Sequence, residues 1–214
     1  TAQEKLLQIT YGVKSDRNVE FEFEKQDPGT HTVILTFSQL SNSSEREKQV
    51  LTVKGYSGPL LTLRPENKDK QIGFSYKYTY LRGKLNPGFD PKFVYLLPYK
   101  AGTSVKVAEA GFFNATYFGS TTPEDWKYYR FYTAEQDSVT VVRKGIVVEV
   151  KSDADDLAAD YSYTSNTNYV RIEHADGTMA TYNGLKKGSI TVKPGITVYP
   201  GDVLGLNTPQ GSDQ

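Results

Sequence analysis

From Ser138 to Leu206 the chain is written almost entirely as short apolar strands divided by tight turns, and this stretch constrains the fold more than any other. Val139, Val141, Val142, Ile146, Val147, Val148 and Val150 flank Lys144-Gly145. β-Branched residues at that density favour extended backbone, so the pattern predicts a hairpin. Tyr169–Ile172 and Thr178–Tyr182 predict a second hairpin, closed by Ala175-Asp176-Gly177, where glycine supplies the positive φ of a tight turn. Val192-Lys193-Pro194-Gly195 and Val198-Tyr199-Pro200-Gly201 are two turn signals of one kind a few residues apart. The repetition predicts a small closed barrel or barrel-sandwich.

Composition narrows the function classes. At 214 residues the chain is long enough for two modest domains. Lys plus Arg and Asp plus Glu each number 25, so no net field steers the chain toward polyanions and nucleic acid is not an expected partner. With no cysteine, disulfides and thiolate zinc sites are excluded. No run approaches the roughly eighteen apolar residues of a membrane span, so no transmembrane segment is expected. Thr1-Ala2-Gln3 opens no signal-peptide pattern, and a removed signal is expected. Sixteen Tyr and ten Phe among frequent Gly and Pro, without helical periodicity, predict an all-β protein.

The first half, residues 1–97, reads as an immunoglobulin-like β-sandwich. Val19-Glu20-Phe21-Glu22-Phe23-Glu24 alternates apolar with acidic, as a strand with one buried and one wet face does. Asp27-Pro28-Gly29 turns it into His31–Phe37, and strands follow at 49–54, 60–63, 74–80 and 93–97 between turn residues. Tyr76, Tyr78 and Tyr80 share a face by the period of two. They are either a carbohydrate-stacking ladder or amphipathic rings covering a sheet, and the second reading needs no ligand. Leu97-Pro98-Tyr99-Lys100 forms a short junction, which places a second domain at 98–214.

The segments Gly145–Val150, Asn168–Leu185 and Gly188–Gly205 (GIVVEV, NYVRIEHADGTMATYNGL and GSITVKPGITVYPGDVLG) resemble the core of the lysostaphin-type, or LytM-like, zinc endopeptidases. The likeness extends upstream through Tyr95–Phe112 and Tyr128–Val141, and so covers the C-terminal half. It implies a duplicated hybrid-motif domain, a LytM-like β-barrel or barrel-sandwich hybrid. Such enzymes hold zinc with two His and an Asp, and a further His assists the bound water.

Position by position, the resemblance implies that this chemistry is lost. Asn114–Phe118, where the first His is expected, contains none. The Asp position falls on Arg130, a permanent cation that repels a metal. Tyr182-Asn183-Gly184-Leu185 has Gly184 in place of the assisting imidazole. The late His-x-His strand is expected only beyond Gly211–Gln214. Of the two histidines, His174 reads as a cap on the 175–177 turn and His31 as a surface turn residue. Asp153, Asp155, Asp156 and Asp160 lack the spacing of a calcium loop and read as a solvated segment.

The expectation is therefore a pseudoenzyme: no catalytic residue, no metal and no cofactor. It is a periplasmic or extracellular cell-envelope protein that binds a peptidoglycan fragment or an envelope protein through Tyr117, Arg130, Tyr182 and Asn183. The alternatives are an active zinc-dependent peptidoglycan endopeptidase with ligands elsewhere, and a purely structural module.

Overall fold

The computed structural model describes residues 6–109, 127–133, 136–155 and 167–208. Among these residues there is no helix, and every paired strand is antiparallel where its register is defined. The chain divides into two compact units. One comprises Thr1–Pro91 together with Glu173–Ala180, and the other Lys92–Ile172 with Thr181–Gln214. The first break of this division falls at Pro91/Lys92, and Glu173–Ala180 groups with the first unit.

The first unit is built from β1 (Leu7–Val13), β2 (Val19–Lys25), β3 (His31–Ser41), β4 (Lys48–Val53), β5 (Ser57–Leu63) and β6 (Gly73–Arg82). They form two three-stranded sheets, in the orders β1-β2-β5 and β4-β3-β6. Val19, Phe21 and Phe23 alternate inward while Glu20, Glu22 and Glu24 stay at least partly wet, as the period of two requires. They meet Val33, Leu35 and Phe37 of the facing sheet in one core with Leu7, Ile9, Val53 and Leu63. Phe21 and Phe37 pack edge to face, ring centres 5.5 Å apart. Burying each such ring contributes roughly 1.5–3 kcal/mol.

Tyr76, Tyr78 and Tyr80 lie on the core side of β6, half-buried against this cluster. The hydroxyls of Tyr76 and Tyr78 donate to the carbonyls of Ile9 and Leu7 on β1, at 3.3 and 3.4 Å. These rings cover the sandwich rather than form an exposed ladder. His31, expected at the surface, is fully buried in β3. The expected strand at 93–97 does not form: every residue from Lys92 to Leu97 is exposed, so no face of the segment buries an apolar row, and Pro98 follows with no N–H to give.

The second unit contains β7 (Lys106–Glu109), β8 (Tyr129–Tyr132), β9 (Ser138–Thr140), β10 (Gly145–Lys151), β11 (Asn168–Glu173), β12 (Met179–Leu185), β13 (Thr197–Val198) and β14 (Val203–Leu206). Their sheets run β12-β11-β10-β13, β14-β9 and β7-β8, and among the described residues none closes into a barrel. The hairpin expected around Lys144-Gly145 is absent as well. β9 pairs with β14 while β10 pairs with β11 and β13, so the chain passes from one sheet to another at 141–144. The β-branched density is real, but it feeds buried positions in both sheets: Val139 and Val141 from one side, Val147 and Val148 from the other. The second expected hairpin is present as β11–β12, with Gly177 at φ 88°. Its turn is capped by Asp176, whose Oδ1 accepts from Thr178 N at 3.0 Å and Thr178 Oγ1 at 2.7 Å. The His174 imidazole beside this turn is buried.

Candidate functional site

Four side chains were expected to line one groove. Tyr117 lies outside the described residues. Arg130 sits on β8, paired with Ala108 on β7. Burial works to lower its guanidinium pKa, but hydrogen bonding and charge from Tyr132 and Tyr128 outweigh burial and raise it. Tyr182 and Asn183 are consecutive on β12, so they point to opposite faces. Tyr182 is buried, and its hydroxyl oxygen accepts the Val142 N–H at 2.9 Å. Burial pushes its pKa up to about 12, against the opposing hydrogen bond from Val142. Asn183 is exposed on the other side. Tyr182 thus acts as a strut between β12 and the segment after β9, and Arg130 and Asn183 are the members of the set that keep surface.

Gly184 follows at φ 76°, in the left-handed region that side chains other than glycine avoid. A histidine there would be strained, and Arg130 brings a fixed cation, so these residues do not fit a zinc ion. Of the acidic segment, Asp155 is described, paired with Lys187 at 2.6 Å, while Asp156 and Asp160 lie outside the described residues.

A second cluster, in the second unit, surrounds the turn at 143–145. The Arg143 guanidinium lies 4.0 Å over the Phe93 ring and 5.7 Å from the Tyr95 ring centre, and donates to Tyr95 Oη at 3.3 Å. Lys144 Nζ is 5.0 Å over Tyr199. Stacking on a ring face pre-orients a cation without removing its charge. The uninterrupted apolar run Phe93–Leu97 beside Lys92 and Lys100 is the sequence signal for this surface, and reading it as a sandwich strand concealed it.

The first unit holds a buried ionic network. Lys25 Nζ donates to the carbonyls of Asp27 and Gly29, wrapping the β2–β3 loop around the ammonium. Burial lowers the Lys25 pKa from its ordinary 10.5, opposed by Asp27. Asp27 Oδ1 accepts from Gly29 N at 2.8 Å, and Oδ2 faces Arg82 at 3.2 Å and His31 Nε2 at 3.7 Å. Both His31 ring nitrogens are buried without a hydrogen bond, and burial holds its pKa below 6.5. Glu173 completes the network by accepting from Thr30, with Lys54 at 3.7 Å. Every cation has a carbonyl or carboxylate beside it, which is how buried charge is tolerated.

No protein-family model matches the chain, and no curated protein matches it.

Proposed function

We propose that the chain is a non-catalytic cell-envelope protein, periplasmic or extracellular, that binds peptidoglycan or a protein partner. On this reading the first unit is an immunoglobulin-like domain and the second a degenerate lysostaphin-type domain. The strand order of the first unit supports its half: β2 lies between β1 and β5, and β3 between β4 and β6, as in such sandwiches. One observation carries the loss of chemistry in the second. Gly184, where the resemblance calls for an imidazole, has a backbone shaped for glycine, at φ 76°.

The binding groups are Arg130, whose guanidinium suits a ligand carboxylate, and the exposed Asn183. Elemental analysis after zinc loading, beside calorimetry of muropeptides on wild type and Arg130→Ala, tests the reading. The expected result is no bound zinc, with muropeptide affinity lost on substitution while the melting temperature holds. One tightly held zinc per chain restores the endopeptidase reading. Destabilisation with no wild-type binding leaves a structural module, a reading that the internal commitment of the Tyr182 hydroxyl favours.

A further inference from the structure

The loop from Lys25 to Thr30 is tied at both ends. Within it, Lys25 Nζ donates to the carbonyls of Asp27 and Gly29, and Asp27 Oδ1 accepts the Gly29 N–H at 2.8 Å. At its end, Thr30 gives its N–H and its hydroxyl to the Glu173 carboxylate at 2.6 and 2.5 Å. His31 is the next residue, fully buried at the start of β3, and neither of its ring nitrogens has a hydrogen bond. Native folds leave few buried polar groups in that condition, because each costs the desolvation of its donor or acceptor.

The elements packed around this ring bring charge of both signs. Lys25 comes from β2, Asp27 and the Gly29 carbonyl from the loop, and Arg82 from β6 with the Tyr80 ring at 6.0 Å. Val53 of β4 is an uncharged strand partner, and Glu173 lies beyond Thr30 with Lys54 beside it. Burial works against a proton on the ring, as do Lys25 and Arg82, while Asp27 and Gly29 favour one. Both favourable groups therefore belong to the loop, and both are already engaged there. Asp27 Oδ2 is 3.7 Å from His31 Nε2, beyond hydrogen-bond reach, and Gly29 O accepts from Lys25. A protonated imidazole forms its charge-assisted bonds only by drawing these acceptors in. That takes Asp27 from the Gly29 N–H and Gly29 O from Lys25, which are the contacts that shape the loop.

We infer that His31 and Asp27 form a proton-driven latch on the β2–β3 loop. With His31 neutral the loop is closed around Lys25 and presents Thr30 to Glu173. Protonation of His31 pulls the loop acceptors onto the ring and loosens Thr30, the neighbouring residue, from Glu173. The strands behind it, held by the apolar core, stay folded.

Hydrogen exchange between about pH 7 and 5, corrected for the intrinsic pH dependence of exchange, tests the latch. In wild type, protection of residues 26–31 and 173–178 is expected to fall by roughly tenfold or more over that range, while residues 33–37 of β3 keep theirs. His31→Leu should show no such selective loss. His31→Gln, polar but uncharged at every pH, should match it and serves in its place where the leucine variant does not fold. Unchanged protection of the two segments down to about pH 5 overturns the proposal, as does the same selective loss in the His31 variants. A loss spread evenly over the first unit also overturns it, since acid then acts on the whole fold and not on the loop.

Discussion

Thr30 gives both of its donors to one side chain: its backbone N–H to Glu173 Oε2 at 2.6 Å and its hydroxyl to Glu173 Oε1 at 2.5 Å, across 143 positions of sequence. The Glu173 side chain is 4 % exposed. Hydrogen bonds to a buried charged acceptor are each stronger than neutral ones, and losing the acceptor leaves two donors unsatisfied. Glu173→Ala should therefore lower unfolding free energy by about 3 kcal/mol. Lys54→Ala, removing a half-exposed partner, should lower it by under about 1 kcal/mol. Denaturant titration of both variants checks this, and equal losses would refute the assignment of Glu173 as the anchor.

That contact also shows where the sequence stops being legible. Strand identity in the first unit follows from local alternation, as Val19–Glu24 illustrates, because burial of one face leaves a period of two in the residues themselves. Pairing partners are not local. Lys144-Gly145 carries a hairpin's turn chemistry, yet β10 pairs with β11 and β13 because those strands offer its valines a buried neighbour. A polar residue's place is hardest to read. His31 and Glu173 look like surface residues until Lys25, Asp27, Arg82 and Thr30 are brought beside them from other elements. Tyr182 and Asn183 do not share a face for a related reason, since the alternation that puts Tyr182 inside puts Asn183 outside.

Acid should weaken the first unit through His31. Its pKa is held below the ordinary 6.5 by burial first, with Lys25 and Arg82 adding to the effect and Asp27 opposing it. A histidine neutral in the fold and protonated when unfolded contributes stability in full above 6.5. That stability erodes as pH falls from 6.5 toward the lower folded value, because the unfolded state then binds more protons. Melting temperatures of wild type and His31→Leu between about pH 7 and 5 measure it, in a window above most carboxylate titration. Wild type should lose stability over that range, and His31→Leu should lose less. Parallel curves would place the acid sensitivity elsewhere.

Tyr182→Phe removes the oxygen that accepts the Val142 N–H and keeps the ring. The expected cost is about 1 kcal/mol, with the fold intact, since one neutral hydrogen bond is lost in a partly buried place. Wild type should also lose stability as pH rises above the ordinary tyrosine value of 10 toward about 12, because the folded phenol holds its proton longer than the unfolded one. Tyr182→Phe should reduce that alkaline loss. If the variant instead abolished muropeptide binding with no change in stability, the hydroxyl would be a ligand contact rather than a strut.

Gly184 offers the sharpest test of whether zinc chemistry was lost by one side chain or by the backbone as well. At φ 76° a side chain bearing Cβ is crowded against its own carbonyl, and the strain is of order 1–2 kcal/mol for an ordinary residue. Asparagine tolerates this region better than most because its short amide bonds to the local backbone. Gly184→His should therefore destabilise by about 1–2 kcal/mol, and Gly184→Asn by visibly less. Adding Arg130→Asp to Gly184→His restores two residue types of the zinc chemistry but not the backbone that would aim the imidazole. The double variant is expected to bind no stoichiometric zinc by elemental analysis. A Gly184→His protein as stable as wild type would show that the backbone imposes nothing, and zinc uptake by the double variant would mean that only the side chains had been lost.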